Sequence, residues 1–167
     1  MIERHHQDGN MRSTALYSQC EAYRYALTRE WAAGERLLFV MLNPSTADEQ
    51  RNDPTVERCE RRARALGFGA FRVVNIFAYR ATRPQDLKRA PEPVGAENDR
   101  ILLDSAAWAD RILCAWGAHG DHLGRGQAVE RMLRATGRGL WHLGQTRHGA
   151  PRHPLYIGYA AQPVPWR

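Results

Sequence analysis

The clearest apolar run in the chain is Leu37-Leu38-Phe39-Val40-Met41-Leu42, bounded by Gly34 and Pro44. A run of this length without alternation predicts a central strand buried on both faces, because period-two patterning disappears when neither face meets water. Phe71–Phe77, Arg111–Trp116 and the short Leu140–Leu143 repeat the pattern and predict three further strands. Helical periods lie between them. Asp53-Pro54-Thr55 supplies a capping side chain and a first-turn proline, Gly67 supplies a stop, and Val56, Cys59, Ala63 and Leu66 fall on one face. Helices are likewise predicted from Glu97 to Ala109, where Ile101, Leu102, Ser105 and Trp108 recur, and from Gln127 to Ala135. Another is expected to start near Pro84, capped by Thr82.

Strands alternating with helices imply an α/β fold. The expected architecture is a three-layer α/β/α arrangement around a central, mostly parallel four-stranded sheet. Tyr17, Tyr23 and Tyr25 alternate with polar residues between Ala15 and Leu27, which adds a short N-terminal β-hairpin turning near Cys20-Glu21. Residues 1–12 are polar and aperiodic and are expected to form a loose arm, leaving 13–167 as a single domain. The tail after Tyr159, with Pro163 and Pro165, is expected to be irregular.

Composition narrows the class without naming a function. At 167 residues, 43% hydrophobic and 25% charged, the chain fits one packed domain and lacks the signature of disorder. No stretch approaches the roughly 18 apolar residues of a membrane helix, and Met1–His6 has no apolar signal core, so a cytoplasmic protein away from membranes is expected. Cys20, Cys59 and Cys114 are too scattered to form a zinc site and read as reduced thiols. The net charge of +6 rests almost wholly on arginine, Lys88 being the sole lysine. Guanidinium suits bidentate phosphate recognition, so a nucleic-acid or nucleotide partner is permitted, while a plain bias toward arginine explains the charge equally well.

In a parallel sheet, ligands bind beyond the carboxyl ends of the strands, which directs attention to segments 43–54, 75–83, 117–125 and 144–156. The first opens with Asn43-Pro44-Ser45-Thr46-Ala47-Asp48, an amide, two hydroxyls and a carboxylate on a loop turned sharply by proline. The same residue types also build Asx and Ser/Thr turns, and that structural alternative stays open. Asn75 closes an apolar strand and offers one acceptor and two donors, matched to a nucleobase edge or to a buried bridge between loops. Arg80 and Arg83 follow it. Trp116-Gly117-Ala118-His119-Gly120 ends the third strand, but His119 and His122 have no acidic partner at ligand spacing, so no metal is expected. Arg152-His153-Pro154-Leu155-Tyr156 is a proline-stiffened loop: Arg152 can reach phosphate, His153 can donate to a developing anion, and Leu155 with Tyr156 forms either a stacking wedge or core packing. Gly-x-Gly-x-x-Gly, a phosphate loop and a Gly-x-Ser-x-Gly elbow are all missing, which disfavours the corresponding cofactor, triphosphate and serine-hydrolase chemistries, and no cofactor is implied.

Taken together, Met41–Asp48, Asp53-Pro54-Thr55, Asn75–Thr82, Ala115-Trp116-Gly117 and Arg152–Tyr156 resemble an uncharacterised bacterial family of domains of unknown function, over about residues 15 to 158. The order of these loops is more distantly similar to the uracil-DNA glycosylase superfamily. That resemblance implies a uracil-DNA glycosylase-like fold in which Asn43 or a nearby carboxylate positions a water, Asn75 reads the base edge and His153 stabilises the departing base, with the target nucleotide flipped out. Two differences stand out: the superfamily's most active branches carry a carboxylate where Asn43 stands, and Leu155-Tyr156 replaces a serine-rich continuation of the last loop. An amide orients water but cannot take its proton, so base strength must come from Asp48 or Asp53, or the reaction must be largely dissociative.

The leading expectation is therefore a glycosylase-like hydrolase of a nucleobase N-glycosidic bond. Alternatives are a non-catalytic nucleic-acid or nucleotide-binding domain, and an enzyme whose Arg80, Arg83 and Arg152 bind an anionic metabolite. A monomer is the expectation for oligomeric state.

Overall fold

The computed structural model describes all residues from Met1 to Arg167. The chain runs β1 (Ile2–Asp8), β2 (Met11–Tyr17), β3 (Arg24–Glu30), β4 (Arg36–Met41), α1 (Pro54–Ala65), β5 (Ala70–Asn75), α2 (Pro84–Arg89), α3 (Asn98–Trp108), β6 (Arg111–Cys114), α4 (Arg125–Arg134), β7 (Leu140–His142) and β8 (Val164–Pro165). All eight strands join one sheet in the order β1-β2-β3-β5-β4-β6-β7-β8.

This overturns the expected four-stranded, mostly parallel sheet in a three-layer α/β/α arrangement. The sheet is mixed: β5–β4, β4–β6 and β6–β7 pair in parallel, whereas β1–β2, β2–β3, β3–β5 and β7–β8 pair antiparallel. Antiparallel pairings are the majority. The physical reason is that strand formation at both flanks rests on backbone ladders more than on apolar patterning. Residues 2–8, read as part of a loose arm, zip against 11–17 in register from Ile2↔Tyr17 to Asp8↔Met11, although most of their side chains face solvent. A half-wet antiparallel edge needs no apolar period. At the other flank the tail read as irregular adds β8 to β7, pairing Trp141 with Pro165 and His142 with Val164.

The long apolar run behaves as its pattern demands. Along β4, Leu38 and Val40 enter one core with Val74, Ile112, Leu102 and Val129, while Leu37, Phe39 and Met41 enter the other with Phe71, Leu113, Val56 and Cys59. Successive side chains point to opposite faces, so both faces of β4 are dry. Truncating any one of these to alanine should cost about 2–5 kcal/mol. Helix α1 is fixed locally: Asp53 caps it by accepting from Val56 N–H, Pro54 opens its first turn, and Gly67 follows at φ +85°. Helix α2 starts at Pro84 with Arg83, not Thr82, at the cap position, and no side chain caps it.

The strand order places the loops. From β4 the chain crosses to β5 on one side and later to β6 on the other, so the segments leaving β4 and β6 diverge at the carboxyl edge. No helix is long and apolar enough to cross a membrane.

Candidate functional site

The loop after β4 is laced to the loop after β5. Asn43 Nδ2 donates to the carbonyls of Ala81 (2.8 Å) and Pro44 (3.0 Å), Ala81 N–H returns a bond to Pro44 O at 3.0 Å, and Ser45 Oγ lies 3.4 Å from Thr82 Oγ1. The Asn43 amide donors are thus engaged by backbone. The two carboxylates nearby are engaged as well. One Asp48 oxygen accepts from Gln50 and Arg51 N–H at 2.8 Å each, and Asp53 accepts from Val56 N–H at 2.9 Å and Ala47 N–H at 3.2 Å. Turn-building, one of the readings the sequence left open, is what these side chains do.

Beneath this loop lies a feature the sequence did not disclose. Arg24 and Arg29, both on β3 and both buried, reach up into it. Arg24 Nη1 donates to Ala47 O at 2.8 Å, so Ala47 is gripped by Arg24 at its carbonyl and by Asp53 at its amide. Arg29 Nη2 donates to Asp48 O (2.8 Å), Arg51 O (3.2 Å) and Asn52 Oδ1 (2.8 Å). Burial pulls the Arg24 guanidinium down to about 10, opposed by the Asp53 charge, so it stays protonated at neutral pH. No acid lies near these arginines in sequence at a telling spacing, and their partners are carbonyls about 20 residues away, so no pattern could have revealed them.

The last loop is built by parallel means. Gly117 N–H donates to Pro151 O at 2.8 Å and Arg152 N–H to Gly144 O at 2.9 Å, joining the ends of β6 and β7 to the segment carrying His153. Gly117 sits at φ +75°, and a Cβ there would lie 3.2 Å from the Cβ of His153, so glycine serves both the backbone and the close approach. The half-buried His153 accepts from Leu155 N–H through Nδ1 at 3.3 Å. Its desolvation holds the imidazole below the ordinary histidine value, with the Asp53 charge pulling the other way. A neutral ring with Nδ1 as acceptor carries its proton on Nε2. From α1, Arg58 donates to Pro154 O (3.3 Å) and Ile157 O (2.6 Å), and Arg62 donates to Ile157 O (3.1 Å). These grips leave Tyr156 89% exposed and Leu155 half-buried, so Tyr156 is no core residue.

Other expected site residues lie apart from this gathering. Asn75 is enclosed at 1% exposure; its backbone carbonyl accepts from Asn98 Nδ2 at 2.8 Å, while its own Nδ2 has no partner. Arg125 Nε donates to Ile76 O at 2.7 Å and shares an ion pair with Asp99, fixing the β5 exit from α4. Arg80 donates to Glu21 O at 3.3 Å and lies over the Tyr17 ring, and Arg83 pairs with Asp86 on the surface at 3.3 Å. Trp116 is buried edge-on to Trp166, and His119, Thr46 and Arg152 are exposed. Pro44 and Pro154 are buried. No group of three His, Cys, Asp or Glu side chains is placed to hold a metal ion.

Two clefts open at this edge. One of about 490 Å³ is lined by Ser45, Tyr79, Arg80, Thr82 and Arg89 among others. The second, of about 520 Å³, lies between the turn after β6, the start of α4 and the stretch 146–151.

A family described as a protein of unknown function, DUF1643, matches residues 24–155. The chain belongs to the DUF1643 family. The DUF1643 match begins at Arg24, the first of the guanidinium groups under the Asn43–Asp53 loop, and ends at Leu155, whose amide orients His153. No curated protein and no solved structure matches this chain.

Proposed function

We propose that this carboxyl-edge site binds a nucleobase and hydrolyses its N-glycosidic bond, in DNA or in a smaller nucleoside or nucleotide. The observation that carries the reading is His153: a neutral imidazole, oriented through Nδ1 by Leu155 N–H, with Nε2–H left to donate. In the reaction the C1′–N bond breaks with its electron pair passing to the base, water oxygen bonds to C1′, and the water proton passes to solvent. His153 stabilises the anionic base as it departs, as an oxyanion donor does. Because Asp48 and Asp53 already accept backbone N–H groups, bond breaking runs ahead of water attack. The Nδ2 of Asn75 is buried without a partner but lines neither cleft, so Asn75 is no contact for the base in this reading. The distant similarity of the loop order to the uracil-DNA glycosylase superfamily supports the same chemistry.

The test is base release from a panel of oligonucleotides and nucleosides. His153→Ala should lower the rate by about 10²- to 10³-fold. Release at the wild-type rate in His153→Ala would refute the assignment.

The engaged carboxylates favour a second reading, a nucleic-acid or nucleotide-binding domain without catalysis. Binding that weakens steeply with salt, with no base released after prolonged incubation, would select it.

A further inference from the structure

We propose that the 520 Å³ cleft beside Trp116 is the seat of a planar heteroaromatic ring bearing an exocyclic amino group, an amino-substituted nucleobase such as adenine or cytosine. The inference rests on the glycosidase reading only for taking the ring to be a nucleobase. The floor of the cleft is the indole pair Trp116 and Trp166, edge to face at 5.6 Å. Its wall is bare backbone by necessity. A Cβ on Gly120 would lie 2.2 Å from Trp116 Cδ1, and one on Gly126 would lie 2.7 Å from Trp116 Nε1, so neither position admits a side chain. The glycine backbone therefore packs directly on the buried indoles, which present only their edges to the cleft, and a wall without side chains on that side leaves room for a flat ring.

The polar groups are sorted by side. Asp121, Gln127 and Glu130 come from the turn after β6 and from α4, while Thr146, Arg147 and His148 come from the stretch after β7. Carboxylates on one side call for a donor edge on the ring, and Arg147 on the other calls for an acceptor edge. Glu130 shares its charge with Arg134 at 2.9 Å, whereas Asp121 forms no ion pair, which leaves it free to take an amino group. Uracil and thymine have no exocyclic amino group and meet Asp121 with a carbonyl. The cleft also abuts the proposed reacting centre: Pro151 lines it and accepts from Gly117 N–H, and Gly117 packs under His153.

Calorimetric titration with free adenine, cytosine, uracil and thymine, read alongside tryptophan emission, tests the seat. Adenine or cytosine should bind and change the emission, uracil and thymine should bind at least tenfold more weakly, and the exposed-site variant Asp121→Asn should weaken the preferred base about tenfold. No binding of any base at millimolar concentration, equal binding of uracil, or an Asp121→Asn variant that binds like wild type would each overturn it. The two readings fail separately. Free-base binding with no release from any substrate removes the hydrolase and leaves the seat; release with no free-base binding removes the seat and leaves the hydrolase.

Discussion

Asp53 joins three parts of the site, and replacing it with alanine measures how tightly. Its carboxylate caps α1 through Val56 N–H at 2.9 Å, holds Ala47 N–H at 3.2 Å, and faces the buried Arg24. Loss of the cap costs about 1 kcal/mol, with an upper range near 2. Stranding the amide of the buried Ala47 adds roughly 1–3 kcal/mol. A total of about 2–4 kcal/mol is a large share of the 5–15 kcal/mol typical of a domain, and for a chain of this size should lower Tm by roughly 5–15 °C. Asp53→Asn keeps one acceptor oxygen for the cap and should lose about half as much. The assay is thermal and urea unfolding of wild type, Asp53→Ala and Asp53→Asn, followed by far-UV circular dichroism. A change within about 0.5 kcal/mol for Asp53→Ala, or an asparagine variant as damaged as the alanine one, would show that the carboxylate does not hold the loop as described.

Arg29→Met should leave the sheet intact but speed hydrogen exchange in residues 48–52, whose carbonyls lose their donor; unchanged exchange there would remove Arg29 as the anchor. In native protein a disulfide reagent should modify one thiol, Cys20, since it is exposed and its Ser18 contact lowers the thiol value, whereas burial pushes Cys59 and Cys114 up; Cys20→Ser should react with none before unfolding. Burial lowers the titration of both His142 and His153, so below the ordinary value near 6.5 the unfolded chain takes up protons that the folded chain refuses. That contribution is complete above the ordinary value and is lost as pH falls toward the folded values. Stability should therefore decline from pH 7 to pH 5, less steeply in His153→Gln, and an unchanged slope would exclude His153 as a source. Nuclear magnetic resonance titration should also show His153 shifting lower still in Asp53→Asn, because the opposing charge is gone.

Where the sequence reading held, side chains carried the signal. Leu37–Met41 declared a strand dry on both faces, and Asp53-Pro54 with Gly67 declared the limits of α1, because capping and apolar run length are local chemistry. The eight-stranded mixed sheet was hidden because β1 and β8 are held mainly by backbone pairing and bury few side chains, which leaves almost no trace in residue type. Asn75 was legible as a strand-end amide that either reads a base or is buried between loops, and its enclosure was decided by how α3 lies across the β5 exit. Asn43, Asp48 and Asp53 were legible as loop polar groups; whether they face a ligand or their own backbone is decided by torsion angles that composition does not encode. The gathering of Gly117, Pro151 and His153 depends on strands far apart in the chain ending at one edge.

The arginines that grip the two loops have a further consequence. Arg24, Arg29, Arg58 and Arg62 bind backbone carbonyls, groups that neither titrate nor carry net charge. Acid therefore cannot loosen these fastenings by protonating a partner, and dissolved salt has little access to those under the first loop. The buried charges are opposed at a distance, Arg24 by Asp53 and Arg29 by Glu60, Asp48 and Glu49, while their hydrogen bonds go to neutral groups. The shape of the first loop is therefore set when the chain folds and should persist across the pH and salt range in which the sheet itself survives.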